Sequence, residues 1–488
     1  MPFTESDALR VREAAARLVH EHHMPGIAIG VVSGDDLVFS EGFGYADIES
    51  KAPMTPEHRH RIASVTKTMT ALCIMALAEE GRLSVDDRLA GILPDLSLKG
   101  PAEDLTVWHL LTHTGGIGEV PKPDDLRDPF QYLFCRAPPP RTLADCYSAK
   151  GITIEVPPGT KYAYANHGFV LLGEIIGRLE GKPVAEVFHN RIFAPLGMTN
   201  SALDDQWRLD MSSGYHRPRS QDEREALSRA GREIPEEVTV DGFNVRAEFL
   251  YTWGNGAQGG VQSTIPDMAR YASALLRGGA GIVRPETLAL MTQDHWRPDS
   301  RLPGRGLGFG LGALGGRRSF GHTGEYIGGW HSAMIVFPEQ DMAVIIHVNA
   351  TFPTWEGAVK GVSQAVFDQP AFVAPECRID QRILDTAPGV YQAAEPGPLT
   401  NFRVMVNAGR IQLSSRDGGL VMHARRGPWK KGVPLLPADS AQPDLFAIGV
   451  DPLPAFLVAL RDSEGAVTGL RFPQFVDMYP TEDVQPWA

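Results

Sequence analysis

Cysteine is scarce in this 488-residue chain, which holds only Cys73, Cys135, Cys146 and Cys377, none of them in a CxxC pair. Four cysteines in so long a chain make no disulfide framework, and the missing CxxC spacing removes a zinc or thioredoxin-type centre. Cys135 and Cys146 are near enough in sequence to pair, but free thiols are expected. Positive charge is also in deficit. A formal charge of −13 excludes the net basic surface that phosphate binding needs, so nucleic acid is not a partner. No apolar run approaches the ~18 residues of a spanning helix, so no membrane is expected either. The opening MPFTESDALR lacks the basic region and apolar stretch of a secretory leader, which makes a cytoplasmic location the expectation. No repeat at solenoid periods is evident. Neither a metal nor a cofactor is called for.

What is present is an ordinary globular composition, 43% hydrophobic and 22% charged, in a chain long enough for more than one domain. Residues 7–22 read as a helix, with Val11, Ala15, Leu18 and Val19 on one face. Ile27–Val32 and Leu37–Gly42 read as strands around a Ser-Gly-Asp-Asp turn. Val65–Glu80 is a strongly apolar helix stopped by Gly81. Asn166–Glu180 and Pro266–Arg277 are further helices, the second with proline suited to a first turn. Strands return at Ser332–Phe337 and Met342–Asn349 around Pro-Glu-Gln-Asp, followed by a helix at about Trp355–Phe367. The layout predicts an α+β domain over 1–369, one antiparallel sheet built from both chain ends with a helical region inserted between. Residues 370–386 read as a linker, with Pro370 and Pro375 opposing helix. Residues 387–488 read as short strands and turns, hence a small all-β barrel or sandwich. There Phe402, Val404 and Val406 alternate, Asn407–Arg410 turns, and Ile411 and Leu413 alternate again. Phe456–Leu460, a turn at Asp462–Gly465, then Val467, Leu470 and Phe472 repeat the theme. Residues 203–250 are highly charged and weakly periodic, as in a solvated surface insertion or a flap over a site.

Three segments carry candidate chemistry. In RIASVTKTMTALCIMALAEE, Ser64 sits where the apolar helix begins and Lys67 follows at i+3, on the same helix face. A serine hydroxyl becomes a nucleophile when a neighbour accepts its proton. Burial and the positive end of a helix both favour the neutral lysine that this requires. In KYAYANHGF, Tyr164 and Asn166 share one parity of an extended segment and can face one cleft. The tyrosine is a proton relay; the asparagine can hold a substrate carbonyl, orient the lysine or cap the next helix. Tyr162 has the same parity. In GHTGEYIGGWHSAMIVF, His322 can hydrogen-bond to Tyr164 or to a substrate carboxylate, and Gly324 would let a substrate backbone approach the strand. A second HTG, His113-Thr114-Gly115, ends a helix. There the glycines read as a C-cap with a structural role, in a loop that could border the cleft.

SxxK, then YxN, then HTG ahead of a late strand resembles the serine β-lactamase and penicillin-binding-protein superfamily. The likeness is to the branch with class C β-lactamases, D,D-carboxypeptidases, D-aminopeptidases and esterases. It covers roughly residues 8–368, with HLLTHTGGI and GGVQSTIPDMARY as further framework segments. It implies a β-lactamase/transpeptidase-like fold and a metal-free acyl-enzyme mechanism. Ser64 is then the nucleophile, Lys67 its base and Tyr164 a second relay. Asn166, His322, Gly324 and Glu325 bind substrate, and the backbone N–H groups of Ser64 and Glu325 form the oxyanion hole. His322 stands where β-lactamases of the branch carry lysine, which favours peptidase or esterase activity. The C-terminal domain resembles a lipocalin-like appendage. The expected activity is hydrolysis of an ester or amide, including peptides with a D-residue. The alternatives are an acyltransferase or peptide macrocyclase, a β-lactamase, and a non-catalytic binder. A small molecule or peptide is the expected partner; the oligomeric state is left open.

Overall fold

The computed structural model describes residues 3–118, 123–127, 135, 142–204, 206, 208–219, 221, 224, 236–326, 328–351, 355–393, 410–424, 429–449, 455–472 and 477–481. Helix α1 (Glu5–Glu21) starts at a Thr4 cap whose hydroxyl accepts from the Asp7 N–H at 3.3 Å. Strands β1 (Gly26–Ser33), β2 (Asp36–Asp47) and β3 (Ala52–Pro53) follow. Three helices matter for the site: α2 (Thr66–Glu79), α3 (Asn166–Glu180) and α4 (Ile265–Leu276). The chain then returns to the sheet through β4 (Gly304–Arg305), β5 (Gly310–Leu314), β6 (Arg317–Tyr326), β7 (Trp330–Phe337) and β8 (Met342–Val348). Helix α5 (Trp355–Phe367) closes this domain.

The eight strands form one antiparallel sheet in the order β4-β5-β6-β7-β8-β1-β2-β3, so the two chain ends meet at β8–β1, with Ile27 opposite Val348. Because side chains alternate along a strand, β1 feeds two cores. Ile27, Ile29 and Val31 pack with Val11 of α1 and Val362 of α5 on one face. Ala28 and Val32 pack on the other, with Leu72 of α2, Leu172 of α3 and Met268 of α4. Helix α4 crosses β1 so closely that a Cβ on Gly30 would sit 2.6 Å from Ile265. Helix α2 is buried on all sides from Thr66 to Leu77. It is the central helix, and each large aliphatic side chain it buries contributes about 1.5–3 kcal/mol.

The second domain is a closed barrel of β9 (Gly389–Ala393), β10 (Arg410–Arg416), β11 (Gly419–Ala424), β12 (Val433–Pro437), β13 (Leu445–Ile448), β14 (Ala455–Arg461), β15 (Val467–Arg471) and β16 (Asp477–Pro480). The expected alternation at Phe402, Val404 and Val406, and the turn up to residue 409, lie outside the described residues. Before the barrel, Gln381–Thr386 is a helix whose Ile383 packs into the barrel core. One hairpin of the first domain, residues 296–305, is clasped by the barrel. Leu302 packs with Leu445 and Val458, Arg301 pairs with Asp444 at 2.8 Å, and Arg471 donates to the Pro298 carbonyl at 2.8 Å. The charged block 203–250 is not simply a solvated excursion. Its stem contributes strand pairs at Tyr215–His216 and Val245–Arg246, and Ser212, Tyr215, Asn244 and Leu250 are buried. Residues 225–235 lie outside the described residues. Cys73 is a buried free thiol and Cys377 an exposed one. No helix among the described residues is long and apolar enough to cross a membrane.

Beneath the segment leading to Ser64 lies a histidine cluster. His60 and His347 stack with ring centroids 4.7 Å apart. A His60 ring nitrogen lies 2.9 Å from the His331 carbonyl and the other 3.2 Å from the Ser212 hydroxyl. Burial keeps His60 far below the usual histidine range and pushes His347 and His167 down to about 3. These groups are neutral in the folded chain but titrate near 6.5 when unfolded, so their contribution is intact above pH 6.5 and lost as pH falls from there towards 3. Urea midpoints measured at pH 7.5 and 5.5 are expected to fall with pH. His347→Leu is expected to shrink the accompanying fall in unfolding free energy by about 1.4 kcal/mol, the linkage value for one histidine over one pH unit. A midpoint that does not move between the two pH values would refute this account.

Candidate active site

Ser64 lies in the 3-10 turn Ala63–Val65 that leads into α2. Ala63 has φ 46°, a left-handed conformation that costs a non-glycine residue roughly 1–3 kcal/mol and is held by its surroundings. Those surroundings are specific. The Ile62 N–H donates to the Val261 carbonyl at 3.0 Å, and the Ile62 carbonyl accepts from the Ser332 hydroxyl at 2.6 Å. Buried threonines on α2 continue the fastening. The Val261 N–H donates to the Thr66 hydroxyl at 3.2 Å, and Thr70 donates to the Ala257 carbonyl at 2.6 Å.

Lys67 is fully buried. Its Nζ lies 2.9 Å from Ser64 Oγ, 2.8 Å from Asn166 Oδ1 and 2.5 Å from the Gln258 carbonyl oxygen. The last two are uncharged acceptors with no proton to give. They take two N–H bonds and leave the third position of the nitrogen for the serine hydroxyl. The rings of Tyr164 and Phe169 lie 4.9 Å and 5.5 Å from Nζ. The sequence spacing thus brings Ser64, Lys67, Tyr164 and Asn166 together. Asn166 is the first residue of α3, after an Ala165 cap, and its side chain turns to the lysine instead of capping the helix.

His113 is the residue that sequence reasoning undervalued. The short helix Val107–Leu111 ends just before it, and His113 itself takes the left-handed conformation, φ 58°, where glycines were expected to cap. Its carbonyl accepts from Ala163 N–H at 2.9 Å and its Nδ1 accepts from Ala165 N–H at 3.0 Å. These two bonds hold residues 163–165 extended, and the imidazole stacks on the Tyr164 ring at 4.4 Å. The Gln258 carbonyl had no sequence signal, since every residue carries one.

The β6 contribution differs from expectation in one respect. A Cβ on Gly324 would lie 2.2 Å from the Ile62 carbonyl oxygen and 3.0 Å from the Ala63 side chain. The glycine therefore admits the Ile62–Ala63 segment that leads to Ser64. The β5–β6 ladder ends at Gly310–Gly321, so residues 322–326 run on beyond it. His322 is half-exposed, with Nδ1 2.5 Å from the Thr323 carbonyl and its ring 6.0 Å from that of Tyr164. Burial in the cleft, then the charges of Lys67 and Arg305, push its pKa down to about 3. Burial and the same cations keep His113 well below its usual range. The Glu325 carboxylate is 64% exposed and lies 3.7 Å from His331 Nε2, which holds it below the usual range. Tyr162, the alternative of like parity, is buried against Trp296 at 5.1 Å and lies under Arg305. No cluster of metal-ligating side chains occurs among the described residues.

A family model described as Beta-lactamase matches residues 11–368. Protein flp of Staphylococcus aureus (strain NCTC 8325 / PS 47) is 29% identical over 184 residues, 37% of this chain and 35% of that protein. The chain thus spans about a third of the length of that curated relative. A D-aminopeptidase of Brucella anthropi is 28% identical over 340 residues, 67% of this chain and 57% of its own. The octameric penicillin-binding protein homologue from Pyrococcus abyssi superposes with a TM-score of 0.60 at 22% identity, over 97% of this chain and 100% of that one.

Gly324→Ala is expected to push the Ile62–Ser64 segment off β6. Labelling of Ser64 by a fluorophosphonate should slow at least ~10-fold, since about 1 Å of misplacement costs a reacting pair far more than it costs the fold. Circular dichroism should still report a folded protein. Wild-type labelling rates in the variant would show that the contact is not restrictive.

Proposed function

The chain belongs to the Beta-lactamase family, and from that premise we propose that it is a serine acyl-enzyme hydrolase of esters or amides, including peptides with a D-residue. The observation that carries the reading is the Lys67 Nζ, 2.9 Å from Ser64 Oγ with its other two bonds taken by Asn166 and the Gln258 carbonyl. A neutral Lys67 donates to those two acceptors and presents its lone pair to the Ser64 proton. Ser64 Oγ then adds to the substrate carbonyl while its proton passes to Nζ. The backbone N–H groups of Ser64 and Glu325 are the proposed oxyanion donors, each contributing about 3 kcal/mol to the transition state. Collapse of the tetrahedral intermediate breaks the bond to the leaving group, which takes a proton from Tyr164 or Lys67. Water then adds to the acyl-enzyme, the same groups accept its proton, and the acid departs with Ser64 restored.

A second reading, acyl transfer to an amine, is favoured by the exposed Glu325 carboxylate on β6. It could hold the ammonium of an acceptor, or the free N-terminus of an aminopeptidase substrate. One activated peptide ester with a free N-terminus separates the readings: linear acid supports hydrolysis, and cyclic or amine-coupled product supports transfer.

Intact-protein mass spectrometry with a fluorophosphonate should show one adduct on the wild type and none on Ser64→Ala. Lys67→Ala and Tyr164→Phe should each lower turnover at least ~100-fold. The double variant should be little worse than the poorer single, because members of one proton-transfer unit are not additive. An adduct persisting in Ser64→Ala would end the assignment, and clean multiplication of the two losses would separate Lys67 from Tyr164.

A further inference from the structure

The two backbone groups proposed as oxyanion donors, on Ser64 and Glu325, come from distant parts of the chain. Contacts on either side of Glu325 bring them into relation. On one side, Gly324 approaches the Ile62 carbonyl and the Ala63 side chain too closely to admit a Cβ. On the other, the Tyr326 ring lies 4.5 Å from the guanidinium carbon of Arg61. Ile62 and Arg61 stand two and three residues before Ser64. One contact fixes a separation; two in succession also fix an orientation. Residues 322–326 run beyond the β5 ladder, so they take their position from β7 and from these contacts.

Arg61 is fully buried on the two-residue strand His60–Arg61, opposite Gln262. Its guanidinium also lies 4.5 Å from the Phe249 ring, and Nη1 donates to the Thr252 hydroxyl at 3.0 Å. The Tyr326 hydroxyl donates to the Leu250 carbonyl at 2.8 Å. That bond closes a circuit from Arg61 through residues 249–252 and back to β6. An apolar side chain would fill the same space without the cost of burying a charge. A guanidinium adds a flat face that attracts a ring and in-plane donors that fix the plane. The geometry therefore favours a positional role over a packing one.

We propose that Arg61 is a positioning residue for the oxyanion hole: it holds the Tyr326 end of β6 in register with the turn that carries Ser64, so that the N–H groups of Ser64 and Glu325 converge on one oxygen. This rests on the hydrolase reading and adds a residue to it. Being fully buried, Arg61 meets no substrate and acts only through the segments it joins. Loss of the guanidinium loosens β6 from the Ser64 turn. The hold on the developing oxygen charge weakens, while the Ser64–Lys67 pair keeps its own bond.

The test uses the full chain and a matched pair of substrates, 4-nitrophenyl butyrate and its thionoester, in which sulfur replaces the carbonyl oxygen. Both need the same nucleophile and the same leaving group, but a hole shaped for oxygen holds the larger sulfur anion poorly. In kcat/KM the wild type should favour the oxygen ester by at least ~100-fold, the value of one oxyanion donor. Arg61→Met should lower that preference by ~10-fold or more, because partial displacement forfeits part of one donor's effect. The ratio is internal to each variant, so a general loss of folded protein cancels, and a merely structural role would lower both rates equally. If Arg61→Met yields no folded protein by circular dichroism, Arg61→Lys and Thr252→Val carry the test. Each removes the planar fork or its acceptor with little change of volume, and the preference should still fall. A smaller wild-type preference, or a preference unchanged in the folded variants, overturns the role of Arg61. Fluorophosphonate labelling of Ser64 reports the hydrolase reading separately. A chain that labels and keeps its preference in every variant remains an enzyme and loses this role for Arg61. A chain that neither labels nor hydrolyses the oxygen ester loses both.

Discussion

A single buried amine organises the catalytic domain. Lys67 is enclosed on a helix with no exposed face, and its nitrogen is triangulated by a serine hydroxyl, a side-chain amide oxygen and a backbone carbonyl. Each of the three arrives from a different part of the chain, so each constrains an element. Ser64 fixes the 3-10 turn before α2, Asn166 fixes the start of α3, and Gln258 fixes the segment ahead of α4. The tertiary hydrogen bonds of Thr66 and Thr70 are the secondary ties that keep these pieces in register. Burying an amine is costly unless its donors are satisfied, and here three acceptors surround it.

The second organising feature is the aromatic stack from Tyr162 through His113 to Tyr164. Burial first, and then the nearby Arg305 guanidinium, keep its histidine neutral. Neutrality matters for structure as well as charge. His113 Nδ1 must be unprotonated to accept the Ala165 N–H, and that bond holds the extended segment that presents Tyr164. The positive potential of the cleft thus helps to preserve the hydrogen bond that positions the tyrosine.

Much of this was legible in the sequence because it is local. The Ser64–Lys67 juxtaposition follows from helical spacing, and the shared parity of Tyr164 and Asn166 from an extended chain. The sheet assembled from both chain ends followed from apolar strands at 27–32 and 342–349 with helices between, and the structure joins them at β1–β8. What escaped was non-local. Gln258 acts through a carbonyl that any residue would offer. His113 acts through its backbone conformation and a ring stack with residues about fifty positions away. Gly324 has the required residue type, but the space it frees is filled by Ile62, far upstream in sequence. Arg305 belongs to a strand of only two residues, too short to show any period.

The barrel gains a physical role from the same geometry. Among its described residues Tyr391, Met422, Phe446 and Leu457 pack together as a core. The barrel meets the first domain through its outer surface. There Leu445 and Val458 bury Leu302, Asp444 pairs with Arg301, and Arg471 holds the Pro298 carbonyl. All three contacts fall on the one hairpin whose ends are Trp296, stacked on Tyr162, and Arg305, poised over the same ring. A β-hairpin of this kind, with a two-residue edge strand, has few ladder hydrogen bonds of its own to define its position. The barrel supplies the missing definition by apolar burial and two arginine contacts. The bonds from Lys67 to Ser64, Asn166 and the Gln258 carbonyl lie within the first domain. The division of labour follows from where the contacts are: the first domain fixes the groups around Lys67, and the second fixes the hairpin that holds Arg305.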